Sequence, residues 1–184
     1  NKTYKSNNMK ISSHELLLIA LSGFTTMSCS NSDKGEDLTP HTYNVSGKVE
    51  KGPFVSGSTI TIQPMDSKLQ VLGSMFNTTI TDNTGSFTFG SKVFQAPYAE
   101  IMATGYFFNE VKGNLSNGVL VLRALVDLSD NSTVNVNILT HLKYSRIKKL
   151  IESGKSFKEA NNQAQSELLK QFGLQRYASK DVSQ

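Results

Sequence analysis

The chain predicts a mainly β protein: an antiparallel β-sandwich of about seven strands followed by a C-terminal α-helical hairpin. Three observations carry this. Between Tyr43 and Leu128, apolar and polar residues alternate in short runs, the period of two that marks strands with one buried face. Gly, Pro, Asn and Asp separate those runs, as turns do in antiparallel sandwiches and barrels. Past Asn135 the apolar period becomes helical.

In the first strand, expected over 43–50, Val45, Gly47 and Val49 alternate with Ser46 and Lys48. In the second, over 57–64, Ile60 and Ile62 alternate with Thr59, Thr61 and Gln63. Further strands are expected over 75–81, 86–90, 97–104, 106–112 and 118–126, with Phe87 and Phe89 setting one face of the fourth. Asp82-Asn83-Thr84-Gly85 reads as a tight turn, since aspartate can accept from the backbone two residues on and glycine accepts positive φ. It predicts a hairpin from Thr79-Ile80-Thr81 to Ser86-Phe87-Thr88.

Two helices follow. The first is expected from about Thr140 to Ser153, stopped by Gly154. Leu142, Ile147, Leu150 and Ile151 form its apolar side, with Lys143 and Arg146 intruding. Their aliphatic stems are expected to lie along buried surface while the charges reach water. Ser156-Phe157-Lys158-Glu159 is a capping box opening the second helix. Phe157, Ala160, Ala164 and Leu168 then make one stripe, and Gly173 is placed as the C-cap glycine.

The N-terminal region reads differently. Lys2, Lys5 and Lys10 precede an apolar run, Leu16 to Phe24, and the small-residue approach Thr25-Thr26-Met27-Ser28 ends at Cys29, the only cysteine. That order is the layout of a secretory signal peptide. A run this short cannot span the hydrocarbon layer, which needs about 20 residues as a helix; the bland alternative is a short buried helix followed by an ordinary thiol. Met9 reads as the start residue, and the absence of a terminal signature at Asp181–Gln184 predicts a piece of a longer protein. The expected organisation is 1–28 signal peptide, 29–42 flexible tether, 43–128 sandwich and 129–184 helical appendage. Removing residues 1–28 lowers the formal net charge from +4 to +2, which leaves no electrostatic footprint for nucleic acid.

The cysteine after this run resembles the lipobox of bacterial lipoproteins, although Thr26 stands where leucine is commoner and Met27 is bulky. The resemblance implies cleavage before Cys29 and acylation there. Cys29 would then bind membrane lipid, since two or more chains hold a protein on a bilayer where one barely does. Ser30-Asn31-Ser32-Asp33-Lys34-Gly35-Glu36-Asp37 is too polar to fold by burial. It is similar to the stretch after the cysteine in Bacteroidota-type surface lipoproteins, which implies display at the outer membrane or cell surface. Within the strands, Ser46-Gly47-Lys48-Val49, Gly57-Ser58-Thr59-Ile60-Thr61-Ile62 and Thr81-Asp82-Asn83-Thr84-Gly85-Ser86-Phe87 resemble the carboxypeptidase regulatory-like domain over roughly 43–112. That resemblance implies a transthyretin-like sandwich serving as a noncatalytic module.

Side chains able to do chemistry are sparse. His141 lacks a ligand one turn away, at Tyr144 or Ser145, and reads as packing or capping rather than metal binding. His41 falls in the tether. Asp127, Asp130 and Asn131 have calcium-type oxygens but read equally as turn formers. Glu100 and Glu110 are the carboxylates available for sugar hydrolysis, with nothing in the sequence to bring them together. No Gly-x-Ser-x-Gly elbow or phosphate-cradling glycine loop occurs. Tyr106, Phe107 and Phe108 are the densest aromatic cluster. Exposed, they would make a stacking platform for a protein or glycan ligand; alternation and a covering helical hairpin would instead bury them as core. The expectation is a noncatalytic, lipid-anchored stalk, adhesion or binding module without cofactor or metal. The alternatives are the anchoring end of a larger hydrolase or nutrient-uptake component, or a glycan-binding platform.

Overall fold

The computed structural model describes residues 38–129 and 132–183. Strands β1 (His41–Glu50), β2 (Thr59–Met65), β3 (Phe76–Thr79), β4 (Ser86–Phe94) and β5 (Tyr98–Gly105) come first. The short β6 (Phe108–Asn109) and β7 (Asn114–Leu115) precede β8 (Leu120–Asp127) and β9 (Val136–Asn137). Helices α1 (Ile138–Glu152) and α2 (Phe157–Gln171) follow. One sheet runs β4-β1-β9 and a second runs β3-β2-β5-β8, with β6 and β7 paired apart. Pairing is antiparallel except for β1 with β9, which run parallel.

Alternation decides what fills the space between the sheets. Val45, Val49, Phe87 and Phe89 of the first sheet and Ile60, Ile62, Ile101, Ala103, Leu122 and Ala124 of the second form one buried cluster. Mainly β architecture with antiparallel sheets and two C-terminal helices therefore stands. His41 already pairs with Phe94, so β1 reaches two residues into the expected tether. Cys29 and the signal segment lie outside the described residues, as do Asp130 and Asn131.

Two strand expectations fail. The turn at Asp82 forms, with Thr84 donating from its backbone N–H (2.8 Å) and hydroxyl (2.7 Å) to Asp82 Oδ1. Yet it does not close a hairpin: β3 pairs with β2, whereas β4 pairs with β1. The chain crosses between sheets at this turn, which keeps Ile80 and Phe87 in the shared core. Only glycine suits the crossing, because Gly85 has φ +76 and a Cβ there would lie 2.5 Å from the Val49 carbonyl oxygen. The expected strand 106–112 is the second failure. Phe107 bridges to Phe54, β6 ends at Asn109, and a turn leads into β7.

The helices form a third layer. Ile147, Leu150, Ile151, Phe157, Ala160 and Ala164 pack with Met65 and Leu125 from the outer face of the four-stranded sheet. The capping box at Ser156 forms as expected. Helix α1 begins two residues earlier than expected, because Asn137 caps it in a second box with Thr140. Both helices end in the same hydrogen-bond pattern. Lys155 N–H reaches Leu150 O (3.1 Å), and Leu174 N–H reaches Leu169 O (2.7 Å), the outer bonds of Schellman caps at Gly154 and Gly173.

A C-terminal segment lies along the hairpin and alters its buried face. Gln165 Nε2 donates to Lys180 O (2.8 Å), Asn137 Nδ2 to Val182 O (2.7 Å) and Asn135 N–H to Ser183 O (2.8 Å). Gln165 and Leu169 are buried, while Leu168 is only half-buried. Lys143 departs most from expectation. Its ammonium does not reach water: the side chain is 1 % exposed, with Asp181 Oδ1 at 3.7 Å. Arg146 behaves as expected, its exposed guanidinium donating to Glu167 at 2.7 and 2.9 Å.

Candidate functional site

The aromatic cluster is built by a pairing between distant segments. Val55 N–H donates to Tyr106 O (3.0 Å) and Phe108 N–H to Pro53 O (2.9 Å), with Phe54 opposite Phe107 between them. Residues opposite one another in an antiparallel pair share a face. Phe54 is fully buried and stacks on Phe107 at 6.4 Å, with Lys51 Nζ 4.8 Å from the Phe107 ring centroid. Pro53, Val55, Tyr106 and Phe108 take the other face. Leu115, opposite Phe108 in the β6–β7 pair, extends it.

This face is open. Tyr106 is 46 % exposed, Phe108 39 % and Leu115 52 %. The core reading of Tyr106 and Phe108 is thereby overturned; only Phe107 turns inward. The helical hairpin does not cover them because it packs against Met65, Tyr98 and Leu125 instead. Two grooves run beside the ladder and share Val55 and Ser56. One, about 570 Å³, is lined by Pro53, Val55, Ser56, Asn83, Phe108 and Leu115. The other, about 270 Å³, takes in Ser58, Thr104, Tyr106 and Val119. Among the described residues, no charged side chain lines either groove. Asn83 Oδ1 accepts from the Ser56 backbone N–H at 3.1 Å, so its amide nitrogen keeps two hydrogens for a ligand. Pro53, Val55 and Asn83 were not foreseen as site residues, since they meet the aromatics only through long-range pairing.

The remaining candidates are dispersed. Glu100 lies on the outer sheet face, paired with Arg123 and accepting from the Tyr144 hydroxyl at 3.0 Å. Burial first, and then the Glu100 carboxylate, hold the Tyr144 phenol above its ordinary value. Glu110 instead shares a separate cleft of about 600 Å³ with Glu50 and Lys51. The two carboxylates are thus not brought together. Asp127 Oδ1 accepts from the Ser129 N–H (3.0 Å) and hydroxyl (2.6 Å), a turn. Among the described residues, the buried His141 Nδ1 meets no hydrogen-bond partner. Among the described residues, no three His, Cys, Asp or Glu side chains cluster to hold a metal, and no helix is long and apolar enough to cross a membrane.

No family model, curated protein or solved structure matches the chain.

Proposed function

We propose that this chain is an exported, noncatalytic binding module, held on a bacterial membrane through acylated Cys29 and displayed at the outer membrane surface. The ordered run from basic segment to apolar segment to cysteine supports the anchor. The polar stretch after Cys29 supports a tether that holds the folded part away from the bilayer. We assign the sandwich to the transthyretin-like, carboxypeptidase regulatory-like type on the turn and strand residues that resemble that family.

The observation that carries the binding role is the exposure of Tyr106 and Phe108 on one continuous ladder face with Pro53, Val55 and Leu115. Apolar side chains gathered at the surface beside grooves mark contact sites more often than scattered ones do. The test is photo-crosslinking on cells that produce the full chain, with p-benzoylphenylalanine placed either at Tyr106 or at Val93, an exposed residue of β4. An adduct formed from position 106 and not from position 93 is expected. Equal labelling at both positions, or none at 106, contradicts the assignment of this face.

A further inference from the structure

We propose that the two grooves flanking Val55–Ser56 are subsites for a neutral oligosaccharide, a proposal that rests on the ladder face being the binding face. Three observations select this class. Tyr106 and Phe108 are two residues apart on extended backbone, so they are separated by about 6.6 Å along the strand. That places one ring beside each groove, a spacing suited to successive sugar rings. The apolar face of a pyranose can lie on each aromatic ring, while its hydroxyls remain at the edge.

Polar groups stand where that edge would fall. Asn83 keeps its amide hydrogens after its oxygen is taken by Ser56, and the side chains of Ser56 and Thr104 line the grooves. Sugar hydroxyls both donate and accept, so they can satisfy such mixed groups. A surface offering no acceptor would cover the Asn83 amide without replacing its hydrogen bonds to water, which is costly. Linings without acidic or basic side chains among the described residues give no reason for a charged ligand. The charged groups nearby, Glu50, Lys51 and Glu110, line the separate cleft.

The experiment is titration calorimetry of the full chain with cellohexaose, maltohexaose and mannohexaose, at low and high salt. The variants are Phe108→Ala, Tyr106→Ala and Asn83→Ala, with Val111→Ser as a control on the adjoining turn, where Val111 is 98 % exposed. One hexasaccharide is expected to bind with little salt dependence. Each aromatic variant is expected to weaken it about tenfold, on the scale of one ring-stacking contact. Val111→Ser is expected to bind as wild type does, and circular dichroism checks that every variant is folded. Absence of binding to all three sugars, binding unchanged by the three groove variants, or binding abolished by salt overturns the proposal. The crosslinking experiment separates the two levels. A discrete protein adduct at position 106 with no sugar binding leaves the face standing and removes the glycan, whereas no adduct and no sugar binding removes both.

Discussion

Replacing Lys143 by methionine should not destabilise this protein, although it deletes one member of an ion pair. The Lys143 side chain is 1 % exposed, and its carboxylate partner, Asp181, lies 3.7 Å away with its side chain 40 % exposed. At that distance and an effective dielectric of about 20, the attraction is about 4 kcal/mol. Water at the exposed carboxylate screens it further, while removing an ammonium from water costs several kcal/mol. Desolvation therefore wins, and burial, opposed by Asp181, holds the Lys143 pKa below its ordinary 10.5. Methionine retains an unbranched apolar side chain in the same space. Asp181 keeps its bonds from the Ser183 N–H (2.9 Å) and hydroxyl (2.7 Å). The expected outcome at pH 7 is a gain of about 1 kcal/mol, or a melting point raised by about 2–4 °C for a chain of this size.

The pH dependence gives an independent check. Below the lowered folded pKa, Lys143 is charged in both states and its burial penalty is fully present. Between that value and 10.5 the unfolded chain holds a proton that the folded chain has released, so wild-type stability rises with pH. The advantage of Lys143→Met should therefore shrink as pH is raised towards 10.5. Urea unfolding followed by circular dichroism, repeated from neutral to alkaline pH, measures both effects. A loss of about 2 kcal/mol or more at pH 7, the sign expected when breaking a net-favourable pair, would refute the reasoning. So would an advantage that does not change with pH.

Three further outcomes follow from the packing. Gly47→Ala should cost about 3 kcal/mol or more in urea unfolding, because its Cβ would lie 1.8 Å from the Val134 carbonyl oxygen; a loss below about 1 kcal/mol would show that β1 and the segment before β9 can part freely. Asn137→Ala should cost more than Ser156→Ala, itself worth about 1 kcal/mol, because Asn137 caps α1 and also holds Val182 O; equal losses would mean that the C-terminal segment adds nothing. Arg146, then Gln163, hold Glu167 at a pKa of about 2, so its contribution is present above its ordinary 4.5 and lost as pH falls through about 2. Acid unfolding of Glu167→Gln should differ from wild type at low salt and converge with it at high salt, because both partners are exposed.

What could be read from the sequence was what neighbours along the chain determine. Ile60 and Ile62, Phe87 and Phe89, and the Ser156–Glu159 box each express a local period or spacing, and each appears where expected. The Asp82 turn was legible as a turn, but its local geometry could not say which strand β3 or β4 would pair with. From the sequence, Lys143 is expected to reach water, because nothing local announces that the C-terminal segment, with Asp181, will cover it. On α2, burial falls on Leu169 rather than on Leu168. For the aromatic cluster, alternation separated Phe107 from its neighbours correctly. Which face would be open depended on the pairing with Pro53–Val55 and on where the helices dock, and both are long-range.

Whether this fold stands outside the cell on a lipid anchor is tested most directly by mass spectrometry of the mature N-terminus. In wild-type cells the protein should begin at Cys29, carry acyl mass and fractionate with membranes, and Cys29→Ser should lose both the mass and the membrane association. A mature protein that begins elsewhere, carries no acyl chain and still fractionates as the variant does would contradict the anchor.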